Sequence, residues 1–368
     1  MNLADLPTPC LVLDRGILRR NLDTMAKAIA RHGIKLRPHM KTAKSIDVAR
    51  MATAGQSAAI TVSTLAEAEY FSGYNIKDIL YAAGITPQKL ETVIQLNHSG
   101  ANIIVITDDS EMATAIGTHL TPPRALIEID TGEHRGGIAP DSPELMEIAQ
   151  RLGSALAGLM THAGHSYAGR TVAEMVRIAE TERAGIVQAA ERLRAAGHTL
   201  EIISMGSSPT ALHAASLAGI SEVRAGVYMF GDLFQAEIFT HTLDDIALTV
   251  LTSVIGRRPR ENRLLVDAGG LALSKDRSTE TAPKDYGFGL ALDLDGKRTM
   301  GDAIIRRAYQ EHGVIEGDPT HTALDLPIGT KLRIAPNHTC MTAAAHNRYH
   351  VVDSSDEVIA IWPRINGW

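Results

Sequence analysis

The feature that most constrains the fold is an alternation that begins at residue 34 and continues to about residue 230. Short runs with strand character lie at Lys35–Pro38, Ala58–Val62, Ile79–Ala82, Asn102–Ile106, Ala125–Asp130, Ala155–Thr161, Leu200–Met205 and Glu222–Arg224. Between most of them run helix-like segments such as Ser63–Ser72, Pro87–Asn97, Ser142–Leu152 and Val172–Ala196. Regular strand–helix alternation implies a parallel sheet, because parallel neighbours need a long crossover. Eight such units fit a closed (β/α)8 barrel, whose usual size is roughly 200–250 residues. An open doubly wound sheet is the alternative. It is weakened because no Gly-x-Gly-x-x-Gly follows the first strand.

After Thr242 the texture changes. Ile246–Val254, Arg263–Val266, Lys331–Ile334, Tyr349–Val352 and Glu357–Ile361 read as strands with turns between them, and long helices are mostly missing. The expected architecture is α/β: a TIM-like barrel over residues 10–242 and a β-rich domain over residues 243–368, which residues 1–9 could join. Leu11–Leu13 fits either domain. At 368 residues, two domains are also what chain length alone predicts.

Charge and cysteine usage narrow the function. A net charge of −6 argues against a nucleic-acid partner. Two cysteines far apart, Cys10 and Cys340, indicate no disulfide framework. No apolar run reaches the length of a membrane span, and Met1–Pro7 lacks the regions of a signal peptide. The expectation is a cytoplasmic enzyme without a membrane partner.

Barrel enzymes work at the C-terminal ends of their strands, and the suggestive clusters fall there. The first strand leads into His39 and Lys41, the second into Thr61 and Ser63, and the fifth into Asp130–Gly137. The sixth leads into Thr161-His-Ala-Gly-His-Ser-Tyr167, the seventh into Gly206-Ser-Ser-Pro-Thr210, and the eighth into Ala225-Gly-Val-Tyr228. In Lys35-Leu-Arg-Pro-His-Met-Lys41, strand alternation would put Arg37, His39 and Lys41 on one face. Such a cation triplet needs a neutralising anion, and a lysine held in it loses its proton more readily, as Schiff-base chemistry requires. A solvated edge strand is the plain alternative. Gly206–Thr210 offers a close backbone approach, hydroxyl donors and a following helix, the makings of a phosphate loop. A reactive lysine opposite a phosphate loop suggests pyridoxal phosphate. His338-Thr-Cys340, taken as strand, would present imidazole and thiolate on one side to a metal ion; a buried cysteine beside a packed histidine is the alternative.

Taken together, Asp5–Pro9, Arg37–Lys41, Asp130–Gly137, His162–Tyr167, Gly206–Thr210, Arg224–Tyr228 and Pro336–Cys340 resemble the fold-type III pyridoxal phosphate enzymes. The resemblance is to the group of D-serine dehydratase and D-threonine aldolase. It implies an alanine-racemase-like barrel plus β domain, Lys41 as the Schiff-base lysine, and a metal at His338 and Cys340. It also implies a homodimer with its active site between barrel and β domain. The aldolases carry His-x-Asp and Gly-Gly-Thr-Gly at the matching places, so His-Thr-Cys and Gly-Ser-Ser-Pro-Thr lean toward the dehydratases. The substrate expected is a small D-amino acid with a β-hydroxyl, and the metal a divalent ion: zinc, with manganese or magnesium as alternatives. Lys41 would also move the α-proton, and His165 and Tyr167 would contact substrate or transfer protons. His39 would brace Lys41, and Arg135 would sit near the cofactor ring. Gly206, Ser207, Ser208 and Thr210 would hold the phosphate, with Gly226 and Tyr228 completing the cup. An amino-acid racemase would instead need a second acid/base, for which Tyr286 and Tyr349 are candidates. A non-catalytic cofactor carrier would lack the second domain.

Overall fold

The computed structural model describes residues 1–296, 299–317 and 324–368. It divides into two compact units, Thr24–Gly226 with Ile365–Trp368, and Met1–Asp23 with Val227–Arg364. The chain enters the second of these first, as strand β1 (Cys10–Asp14), and then runs through the eight strands of the other. Those are β2 (Lys35–Pro38), β3 (Ile60–Val62), β4 (Asp78–Gly84), β5 (Asn102–Thr107), β6 (Ala125–Ile129), β7 (Leu156–Thr161), β8 (Ile202–Met205) and β9 (Glu222–Ala225).

They form one parallel sheet in the order β2-β9-β8-β7-β6-β5-β4-β3. Closure between β2 and β3 rests on one bridge, His39 to Thr61, with the Met40 N–H donating to the Thr61 carbonyl at 2.8 Å. The barrel is therefore nearly closed, as the alternation predicts. Strands such as Ile103–Ile106 are apolar throughout because both faces are covered. Gly158 on β7 has φ +155, and an added Cβ would stand 1.8 Å from the Ile202 carbonyl of β8. A register shift beside it marks a bulge, a place where strands favour glycine.

One side of the interior holds a polar network of paired charges. Arg37 Nε donates to both oxygens of Glu222 at 2.9 and 2.8 Å, and its Nη1 meets Asp78 Oδ1 at 2.8 Å. Glu222 accepts the Ser204 hydroxyl at 2.7 Å, and Arg224 donates to Ser204 Oγ and to the Thr161 carbonyl, both at 2.6 Å. The expected cation triplet is thus divided. The strand stops at Pro38, so Arg37 is a buried, neutralised support while Lys41 lies beyond it, exposed in a turn whose residues Met40 and Thr42 are buried.

The other unit carries a nine-stranded sheet. Its strands are β1 with β10 (Leu248–Arg258), β11 (Arg263–Val266), β12 (Leu290–Leu292), β13 (Thr299–Ala308), β14 (Gly313–Glu316), β15 (Lys331–Ala335), β16 (Arg348–Val352) and β17 (Ala360–Pro363). The order is β11-β14-β13-β12-β15-β10-β1-β16-β17. The Leu11–Leu13 ambiguity resolves here. Wholly buried β1 runs antiparallel to β10 and parallel to β16, so residues 10–14 and 227–242 lie in this unit and not with the barrel strands. Three strands have no counterpart among the expected ones. Of these, β12 has only three residues and β13 is interrupted by a register shift between Ile305 and Arg307. Among the described residues, no helix is long and apolar enough to cross a membrane.

Candidate active site

The barrel rim begins at the β2–β3 closure. His39 is half-buried, its N–H given to the Ala225 carbonyl at 2.7 Å and its Nε2 at 3.5 Å from Ser63 Oγ. Burial, followed by the charges of Lys41 and Arg224, drives its pKa well below the usual imidazole value. Lys41 is exposed and makes no ion pair among the described residues. Lys44, the nearest alternative amine, is committed to buried Glu67, Nζ to Oε1 at 3.2 Å. Gly226 is pressed against His39; a Cβ there would stand 2.9 Å from the His39 carbonyl.

His162, at the end of β7, donates from Nδ1 to the Gly206 carbonyl at 2.9 Å. Burial first, then the Lys41 charge, brings its pKa down to about 3. It is therefore a neutral imidazole whose Nε2 carries the lone pair. Gly206, with φ +131, starts the loop; a Cβ on it would stand 2.3 Å from the Arg224 carbonyl. Ser207, Ser208 and Thr210 are all buried. Ser207 N–H reaches Thr210 Oγ1 at 3.1 Å and Thr210 N–H reaches Ser207 Oγ at 3.3 Å, a reciprocal cap on the helix Ser208–His213. Ser207 Oγ also meets Ser166 Oγ at 2.8 Å. The Gly206 N–H goes elsewhere, to Glu182 Oε1 at 2.9 Å, so the part of Gly206 is to shape the loop.

The loops after β6 and β7 interlock. A Cβ on Gly132 would stand 3.3 Å from the His165 ring, and one on Gly164 only 2.3 Å from the Glu133 carboxylate. Glu133 Oε2 stands 3.6 Å from His165 Nδ1, beyond hydrogen bonding, and that nitrogen is buried without a hydrogen-bond partner. Thr61 Oγ1, at the end of β3, is a second orphaned buried polar atom. Asp130 accepts the N–H groups of Gly132 and His134, which folds the loop that carries exposed Arg135. Arg135 makes itself felt as a charge on Glu128 and His162. Tyr167 is half-buried, with its carbonyl taken by Arg170 at 3.1 Å. An orphaned imidazole and hydroxyl, three buried hydroxyl residues and an unpaired amine form a donor set suited to an anionic carbonyl cofactor.

The second unit is described by itself. It holds buried Tyr228, whose carbonyl accepts His241 Nε2 at 2.9 Å. The strand expected at His338–Cys340 is corrected here: His338 caps the short helix Thr339–Ala343, and Cys340 is its second residue. The cause is Asp232, whose buried carboxylate takes the Thr339 N–H at 2.9 Å and ends the extended run after β15. Side-chain contact survives the change, since Cys340 hydrogen-bonds His338. His338 Nδ1 lies 3.1 Å from Asp276 Oδ2. Burial opposes charge on His338, but Asp276 and Cys340 outweigh it and lift the pKa to about 11. For Asp276, burial is likewise outweighed by His338 and Ser278, leaving it at about 2. An imidazole held between the Asp276 carboxylate and the Cys340 sulfur suits a divalent cation in place of a proton. Imidazole with thiolate is the donor pair of zinc more than of magnesium or manganese. Among the described residues no third histidine, cysteine or carboxylate completes a closed set, which leaves positions for water or substrate.

Tyr286 and Tyr349 are both engaged. Tyr286 donates to Glu237 at 3.1 Å, and Tyr349 is fully buried with its hydroxyl accepting Arg364 Nε at 2.6 Å. Sequence reasoning did not single out Glu182, Asp276 or Asp232, and it quoted His162 and Arg224 only within motifs.

Over residues 13–233 the chain matches the family described as alanine racemase, N-terminal domain, and over residues 247–352 that described as putative serine dehydratase domain. It is 41% identical over 378 residues to D-threo-3-hydroxyaspartate dehydratase of Delftia sp. (strain HT23), covering 100% of this chain and 99% of that one. A D-serine dehydratase of Dictyostelium discoideum is 30% identical, with 97% and 96% covered. Among solved structures, a cysteine-to-alanine variant of D-threo-3-hydroxyaspartate dehydratase in a metal-free form has a TM-score of 0.96. Its identity is 40%, with 100% of both chains covered.

Proposed function

Because the chain belongs to the fold-type III pyridoxal phosphate family of the D-threo-3-hydroxyaspartate and D-serine dehydratases, we propose that it removes water and ammonia from a small D-β-hydroxy amino acid. The product would be a 2-keto acid. The observation that carries this reading is the His338–Cys340 pair with Asp276 behind it. Hydroxide is a poor leaving group, so a dehydratase has a physical need for a Lewis acid.

Lys41 would hold the cofactor, since it has the exposed amine while Lys44 is committed to Glu67. The hydroxyls of Ser207, Ser208 and Thr210 would take the phosphate. Once bound, pyridoxal phosphate supplies an electron sink for the charge developed at Cα. Lys41 Nζ would move the Cα proton. His162 and His39 stay neutral beside it and so add no competing cation. Asp276 accepts the Nδ1 proton of His338, which turns Nε2 toward the metal role. A divalent cation there, zinc in our reading, supplies the Lewis acid for the β-hydroxyl. The same reading makes the enzyme a homodimer, which sedimentation would test.

The test is a turnover panel of D-serine, D-threonine and D-threo-3-hydroxyaspartate, with and without a chelator. Keto acid and ammonia, lost on chelation and restored by zinc, are the expected result. Glycine with an aldehyde would assign a retro-aldol reaction instead. Full activity after verified metal removal would overturn the Lewis-acid role.

A further inference from the structure

We infer that Glu182 is a positioning residue that sets the affinity of the 206–210 loop for the cofactor phosphate, by tying that loop to the one bearing His162, His165 and Tyr167. This rests on the cofactor reading above.

Glu182 lies midway along the helix Val172–Ala195, on the stripe that packs inward. The other buried members of that stripe are Met175, Ala179, Ile186, Ala189, Ala190 and Leu193, all apolar. A carboxyl in such a seam carries a heavy desolvation cost unless it is hydrogen-bonded. Glu182 is fully buried, and burial raises its pKa. Its Oε1 accepts two backbone donors, Ala163 N–H at 3.1 Å and Gly206 N–H at 2.9 Å. Those donors open the loops after β7 and β8. A single oxygen therefore fixes the spacing of two neighbouring catalytic-end loops. The His162–Gly206 and Ser166–Ser207 bonds run between the same loops, but both involve rotatable side chains at the rim. Glu182 reaches the loops from the rigid helix. Without it, two buried amides would lose their acceptor, and the left-handed backbone at Gly206 would lose its anchor.

The experiment titrates metal-loaded apoprotein with pyridoxal phosphate, reading absorbance and fluorescence, for the natural protein and E182Q, E182D and E182L. Glutamine keeps an amide oxygen that can accept both N–H groups, so Kd should stay within about threefold of the natural protein. Aspartate draws its oxygens back by one methylene and leucine has none. Both should weaken binding by at least about tenfold, the equivalent of one lost hydrogen bond. Metal affinity, read by competition with a chromophoric chelator, should stay at the natural value in all three variants, a separation that a general loss of structure would not produce. Should E182L fail to fold, E182D against E182Q makes the same comparison. Equal Kd in E182D and the natural protein overturns the inference, as does E182Q weakened as far as E182D. A natural protein that takes up no pyridoxal phosphate overturns the preceding reading itself, before any variant is compared.

Discussion

Lys41 and Lys44 stand three residues apart in one turn, and their surroundings assign them opposite work. Lys44 neutralises the buried carboxylate of Glu67, while Lys41 faces solvent beside two neutral imidazoles. Lys41→Ala should therefore abolish borohydride-trapped cofactor. Lys44→Ala should retain the trapped adduct but lose about 2–3 kcal/mol of stability, because a buried carboxylate is left without its partner. Chemical denaturation of both variants measures the difference. At the metal pair, Asp276→Asn should lower metal affinity by about 10–100-fold through loss of the partner that orients His338. Competition with a chromophoric chelator reads this directly. Residue spacing points to His338 and Cys340 as a pair, although the strand it assumes is a helix start in the structure. Asp276 is not legible, since 62 residues separate it from His338 and no local pattern points across that gap. Glu182 leaves a trace, a lone charge at a helical stripe position where every other member is apolar.

The barrel strands are the most legible elements, because strands covered on both faces are short apolar runs with helices between them. The sheet of the second unit is less so. Its edge-side strands β13 and β14 are broken by glycines and arginines, and β12 is too short to show a period. The helix at Thr339–Ala343 is hidden for another reason: its start is fixed by Asp232, far earlier in the chain. Packing at the element level also sets hard limits. Gly158→Ala would force a Cβ into the Ile202 carbonyl between β7 and β8. It should cost about 2–4 kcal/mol, measured as a lower denaturant midpoint at an unchanged slope.

At the scale of the whole molecule, buried neutral histidines make stability depend on pH. The folded pKa of His162, about 3, lies below the ordinary value of 6.5. Between these values the unfolded chain binds a proton that the folded chain refuses, so stability falls as pH drops through that window. Each such group contributes a slope of at most about 1.4 kcal/mol per pH unit. His162→Gln should flatten the acid limb by up to that amount, as followed by urea unfolding between pH 6.5 and 4. Chain order has a different consequence. Strand β1 is synthesised first, yet its partners are β10 and β16, which begin at Leu248 and Arg348. The barrel strands are complete by Ala225, long before β16 exists. At a synthesis rate of about 5–20 residues per second, an apolar strand must wait on the order of tens of seconds for a neighbour. Leu11, Val12 and Leu13, buried in the finished sheet, are thus unpaired apolar surface until β10 is made, and β16 is laid against a strand that precedes the whole barrel in the chain.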